Sequence, residues 1–291
     1  VRRHGGAEQR LAWLLCAPAL IAMLVVTAYP MLYAVWLSLF RYDLRFPGER
    51  RFIGLGNYLS VLGSETWWQA LGNTLLLTVG SVSLELVLGF AFALVMHRTL
   101  VARRLVRTAL LVPYGIITVV AAMSWRFAFD PTTGFVNALL GLHGAWLAER
   151  GTAFLVIIQA ELWKTTPFMA LMLLAGLTLV PGDLLRAARV DGANAWQRLF
   201  RVTLPQMRAV IMVALLFRTL DAFRIFDTVF VLTRGAQDTA SVSMVGYDTL
   251  VTRLNLGLGS SVSVLIFLCV LGIAALYLKG FGIDLRHRGE T

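Results

Sequence analysis

The chain has 291 residues, 58% of them hydrophobic and only 14% charged, with a formal net charge of +10. Soluble domains carry about 25% charged residues, so this composition excludes an ordinary water-soluble fold and implies an all-α polytopic membrane protein. The positive balance would point to nucleic acid only if gathered on one soluble face; it is spread over short loops, so membrane lipid is an expected partner and nucleic acid is not.

Residues 1–10 are short and basic (Arg2, Arg3, Arg10), and an apolar run over 11–40 follows, broken only by Pro18 and Pro30. Its start mimics a secretory signal, but the apolar core of a cleaved signal spans about 7–15 residues, so the run reads as a retained span. Cys16 follows Leu15 rather than a small residue, which argues against lipidation, and Cys269 lies in a different apolar run, so no metal or redox spacing arises. Residues 41–68 read as a polar loop with Tyr58, Trp67 and Trp68 placed as interfacial anchors. A second span is predicted over 69–96, with Glu85 inside it, and the loop 97–107 (HRTLVARRLVR) carries four arginines and no acid. The third span covers 108–129 and precedes a Gly-punctuated loop over 130–151. Trp125, Arg126 and Asp130 at that junction read as structural anchors rather than solute contacts. A fourth span over 152–180 contains Glu161 and Lys164. After a polar interval over 181–207 come a fifth span over 208–233, a polar loop over 234–256, a sixth span over 257–279 and a basic tail, 280–291.

A bilayer core about 30 Å thick needs roughly 20 apolar residues per helix, so six spans in one transmembrane domain, 11–279, is the natural count. The N-terminus, 97–107, 181–208 and the tail hold about twice the Lys and Arg of the three opposite loops. That excess is expected to place both termini and the 181–207 interval in the cytoplasm of a cell bounded by this membrane.

The interval reads VPGDLLRAARVDGANAWQRLFRVTLP over 180–205. Pro181 and Pro205 bracket it, and a proline stops or kinks a helix at the preceding residue. Asp191-Gly192 is a turn signal between two short helix-forming pieces. Ala187 and Ala188 leave room for close packing, and Trp196 and Phe200, at i and i+4, give the second piece an apolar edge. A connector between two spans needs only a few residues, so this one reads as a docking element; the plainer alternative is an amphipathic segment lying on lipid.

Here the sequence resembles the conserved cytoplasmic loop of binding-protein-dependent ABC importer permeases, sugar-uptake branch. In register with P-x-x-L-x-E-A-A-x-x-D-G-A-x-x-W-x-x-F-x-x-I-x-L-P stand Pro181, Leu184, Ala187, Ala188, Asp191, Gly192, Ala193, Trp196, Phe200, Val202, Leu204 and Pro205. The family's Glu is Arg186 in this chain. The likeness extends to 52–62 (FIGLGNYLSVL), 70–74 (ALGNT), 125–137 (WRFAFDPTTGFVN) and 226–241 (FDTVFVLTRGAQDTAS), the last with Ala236 and Gln237 where Gly and Pro are usual. The resemblance implies a permease subunit that pairs with a second, homologous permease and with two ATPase subunits, and receives its solute from an extracytoplasmic solute-binding protein. It implies no cofactor in this chain, ATP and Mg being held by the ATPases. It also implies that Arg186, Ala187, Ala188, Asp191, Gly192, Ala193, Trp196 and Phe200 couple to the ATPase. Within the branch it points to trehalose or another disaccharide, taken up by an actinobacterial importer.

No phosphate-cradling G-x-x-x-x-G-K-[ST] occurs, and His4, His97, His143 and His287 are scattered, so the chain reads as a transport subunit and not a catalyst. Ionisable groups inside spans need a protein or water-filled setting. Glu161 and Lys164, three apart on one helix, can neutralise each other, and Arg218, Asp221 and Arg224 repeat that spacing. By distance from the loop, the family's sugar-contacting positions fall at Glu161, Lys164, Thr165, Phe168, Arg218, Asp221 and Ala222. The alternative is that these charges form interhelical ion pairs, with Glu85 a buried hydrogen-bonding residue. A rival function, an ion-coupled transporter using Glu161, Lys164 and Asp221 as a relay, would favour inverted repeats, and none is visible. A membrane-embedded enzyme would need a metal or nucleophile constellation, which is equally lacking.

Overall fold

The computed structural model describes residues 5–98, 103–141 and 144–280. The expectations placed on Arg2, Arg3, His4, His143, His287, residues 99–102 and the tail from 281 lie outside them. In chain order the helices are α1 (Gly5–Met23), α2 (Tyr29–Ser38), α3 (Gly56–Leu62), α4 (Glu65–Arg98), α5 (Arg103–Gly115), α6 (Thr118–Ala128), α7 (Phe135–Leu140), α8 (Arg150–Thr178), α9 (Gly182–Val190), α10 (Ala195–Arg198), α11 (Leu204–Ala222), α12 (Asp227–Leu232), α13 (Val242–Tyr247) and α14 (Leu256–Gly280). The one sheet among the described residues is a two-residue ladder, β1 (Phe40–Arg41) with β2 (Arg51–Phe52).

Four helical runs are long and apolar enough to cross a bilayer: Trp13–Ser38, Glu65–His97, Ala195–Ala222 and Leu256–Gly280. Two bent pairs, Thr108–Gly115 with Thr118–Ala128 at 97° and Arg150–Thr178 with Gly182–Val190 at 71°, raise the number to as many as six. Two of the long runs pass through a proline by the same device. A π turn over Leu24–Ala28 precedes Pro30, and another over Leu199–Thr203 precedes Pro205. Proline lacks the N–H that the carbonyl one turn back would receive, and a widened turn reassigns that carbonyl without ending the helix.

The chain forms two compact units. The first takes residues up to Ser64 together with Gly246–Phe267. What reads as the polar loop 41–68 is largely structured here. Asn57 Nδ2 donates to the carbonyls of Ser38 (2.7 Å) and Phe40 (2.8 Å), and Gly257 N donates to Tyr42 O at 3.0 Å. A Cβ on Gly257 would run into Phe40 O, so only glycine lets the two backbones meet. Tyr58 is tied to Ser38 by a 2.6 Å hydroxyl contact. The Arg50 guanidinium lies over the rings of Trp36 (4.4 Å), Phe40 (4.8 Å) and Tyr42 (5.2 Å).

The second unit takes Glu65–Val245 with the chain from Leu268. Its core is α4 packed on α8 with α11 touching both, closed by Met96, Met169, Leu173, Leu177, Met207 and Ala214. A Cβ on Gly89 would lie 2.8 Å from Met169 Cγ, so glycine sets how near α4 and α8 approach. Trp67, expected at an interface, is 3% exposed and belongs to the interior, whereas Trp68 next to it is 56% exposed. Successive helical residues point about 100° apart, so one of the pair must face inward. α11, at the place of the expected fifth span, stops at Ala222, short of the expected 233, and the chain turns before the separate short helix α12. Arg224 and Asp227 fall at that turn, where the helix end keeps them out of the apolar stack.

Candidate functional site

Two features of the second unit gather most of the residues singled out in the sequence. The first is the elbow after α8. α9 ends at Val190 with Asp191 as its C-cap, Gly192 takes φ +76°, Gly192 N donates to Arg189 O at 3.1 Å, and Ala193 N donates to Ala188 O at 2.9 Å. That pair of bonds is a Schellman motif, whose left-handed position favours glycine because it has no Cβ to clash. The next helix starts at once. Asn194 Oδ1 accepts from Gln197 N and Gln197 Oε1 accepts from Asn194 N, both at 2.8 Å, a reciprocal capping box. Arg198 Nη1 donates to Ala193 O at 2.6 Å and ties the turn to the helix it opens. Asp191-Gly192 is thus the turn expected; the box escaped notice, although N-A-W-Q is its sequence signature.

The elbow displays apolar surface. Trp196 and Phe200 stack with centroids 5.9 Å apart, and they are 70% and 59% exposed. Val190 and Leu184 are exposed beside them in sequence. Arg186 pairs with Asp183 one turn back, with both side chains in the open, where such a pair contributes little.

The second feature is a charge network built on Arg218, itself only 2% exposed. Its Nε donates to Glu85 Oε2 (2.5 Å), Nη2 to Glu85 Oε1 (3.0 Å) and Glu161 Oε2 (3.1 Å), and Nη1 to Asp221 Oδ2 (2.6 Å). Thr228 Oγ1 donates to Glu161 Oε1 at 2.5 Å. Thr165 Oγ1 lies 2.8 Å from Glu85 Oε1 and 2.6 Å from the Glu161 carbonyl, so its single proton serves one or the other. Three carboxylates from three helices therefore converge on one guanidinium, and Glu85, fully buried, is a principal member.

Glu161 and Lys164 do not neutralise each other. Glu161 is taken by Arg218, whose five-donor fork reaches several carboxylates at once. Lys164 Nζ instead donates to Ile116 O at 2.5 Å, in the break between α5 and α6, where the end of a helix leaves carbonyls without partners. Tyr114, in the last turn of α5, stacks on Phe168 at 5.7 Å. Ala222 is buried, and Arg224 is exposed and outside the network.

The junction residues make contacts within the chain. Asp130 Oδ1 accepts from the amide and hydroxyl of both Thr132 and Thr133 at 2.8–3.0 Å, which holds its carboxyl well below the usual range. Arg126 Nη1 donates to Val231 O (3.1 Å), and Trp125 stacks on Phe129 at the wall of a 490 Å³ aromatic cavity. Sequence reading missed how Asn73 and Thr74 act. Asn73 Nδ2 donates to the carbonyls of Asp238 (2.7 Å) and Ala240 (2.9 Å), and Thr74 Oγ1 accepts from Val242 N (3.0 Å). Two stretches that resemble the importer family, 70–74 and 226–241, thereby hold each other.

Residues 85–281 match the family of binding-protein-dependent transport system inner membrane components. The chain belongs to that family. This permease is 57% identical to the trehalose transport system permease protein SugA of Mycobacterium tuberculosis, over 95% of this chain and 90% of that one. It is 39% identical to the trehalose/maltose transport system permease protein MalF of Thermococcus litoralis, over 94% of each. Its fold is similar to a chain of a bacterial ABC transporter importing alginate, with a TM-score of 0.82 at 23% identity, covering 95% of this permease and 98% of that chain. It is an inner-membrane, multi-pass transport component rather than a catalyst, and membership of the family sets the ion-coupled carrier aside.

Proposed function

We propose that this permease carries trehalose inward through an ATP-driven importer, in which it is one of two homologous permease chains. The observation that carries this reading is the 57% identity with SugA across nearly the whole chain. Two ATPase subunits hold ATP and Mg, and one of them seats the elbow, with Trp196 and Phe200 as the apolar contact and Arg186, Ala187, Ala188, Asp191, Gly192 and Ala193 shaping its approach. The exposed, stacked ring pair on a turn locked at both ends supports that role, because a rigid elbow transmits displacement. Both termini and the elbow face the cytoplasm, in line with the bias of Lys and Arg. A solute-binding protein delivers the sugar on the opposite face. Closure of the ATPases on ATP moves the elbow, and the paired bundles change the side to which the pathway opens.

The seven pathway positions divide by exposure. Asp221, with a side chain 75% exposed, and half-buried Lys164 and Phe168 meet the sugar's hydroxyls and ring face. Glu161, Thr165, Arg218 and Ala222 are buried, and Arg218 holds Asp221 in place.

Uptake of radiolabelled trehalose, in a strain whose own copy is deleted and then restored, tests the assignment. Restoration should return uptake, and excess unlabelled trehalose should compete it away. Restored growth on other disaccharides with no trehalose uptake would overturn it.

A further inference from the structure

The elbow and the ends of α4 and α8 surround a cavity of 420 Å³ lined by none of the residues proposed for the ATPase contact. Arg189, Arg198 and His97 line it with nitrogen donors, Leu94, Leu177 and Leu185 make its apolar side, and no carboxylate lines it. The nearby acid Asp183 is taken by Arg186. Arg198 is held in place through one nitrogen by Ala193 O, which leaves its other donors free to reach a ligand. Arg189 makes no ion pair among the described residues.

We propose that this cavity binds the phosphate of an anionic phospholipid headgroup, with an acyl chain along Leu94, Leu177 and Leu185. Cations without acids select an anion, and basic pockets between membrane helices take acidic headgroups. A free inorganic anion would have no use for the apolar wall, which continues onto two long helices of the bundle. Trp196 and Phe200 do not line the cavity, so lipid binding stands apart from the proposed ATPase contact and is read without transport. A headgroup seated there fills the space between elbow and helix ends and stiffens the joint.

The intact chain in nanodiscs with equal phosphatidylglycerol and phosphatidylcholine, released and weighed by native mass spectrometry, tests this. Phosphatidylglycerol should be retained preferentially, and Arg189→Gln should lower the ratio of the two lipids about fivefold, as expected for one cation at a lipid surface. Arg189→Lys should keep the preference and His97→Phe, which removes the ring donor, should reduce it, which covers the case that Arg189→Gln fails to fold. Equal retention of both lipids by the wild type would overturn the proposal. So would an unchanged ratio in both Arg189→Gln and His97→Phe, or full displacement of phosphatidylglycerol by inorganic phosphate, which would mark a free-anion site.

Discussion

Arg218 is the shared hydrogen-bond and charge partner of the buried acids of the second unit. Replacing it with Met would leave Glu85 and Glu161 without their counter-charge, and breaking one side of a buried pair costs about 3–5 kcal/mol. Thermal unfolding of the purified chain in detergent should show that loss for Arg218→Met. Much of it should return when Glu85→Gln and Glu161→Gln are added, since an uncharged set needs no counter-ion. If Arg218→Met melts like the wild type, the network is not structural. Glu85 was legible as a buried hydrogen-bonding residue, but its partner was not, because Arg218 lies 133 positions away and only packing brings them together. The i, i+3 rule found Arg218 with Asp221, which share a helix. It misassigned Glu161, because local spacing says nothing of a stronger donor on another helix.

Among the elements, the elbow was the most readable in sequence, since turn and cap chemistry is local. The D-G-A triplet and the N-A-W-Q that follows specify a helix stop and a helix start over adjoining residues. Asn194→Ala removes the cap, a loss of about 1 kcal/mol. Hydrogen exchange at the Gln197 amide should therefore quicken by about fivefold, with exchange in α8 unchanged; an unaltered Gln197 rate would mean the box does not hold the elbow. The break at 97° between α5 and α6 was not readable. Pro113 lies within α5 and the chain bends only after Gly115, where Lys164 from α8 satisfies a carbonyl. That donor is tertiary, so no local signal marks the bend. The residues of 41–68 misled for a related reason: their polarity reads as a loop, while Asn57 and Gly257 make a packed corner from distant segments.

For the whole molecule, composition was enough to give an all-α polytopic membrane protein, because a bilayer imposes long apolar helices. Exposed Trp13, Leu14, Leu15 and Val26 on the first helical run fit a surface covered by hydrocarbon rather than water. The division into two units was not legible, since the first borrows Gly246–Phe267 from far along the chain. On the function proposed here the elbow couples this bundle to an ATPase, and Gly192 is where that proposal is most open to test. A side chain there meets nothing within 4 Å in this chain but must adopt φ +76°, which costs about 1–2 kcal/mol for an L-residue, and Trp would also project toward a docked partner. The direct measurement is trehalose-stimulated ATP hydrolysis by the reconstituted importer carrying Gly192→Trp. The expected result is normal insertion with hydrolysis no longer responsive to trehalose; stimulation at the wild-type level would contradict the coupling role of the elbow.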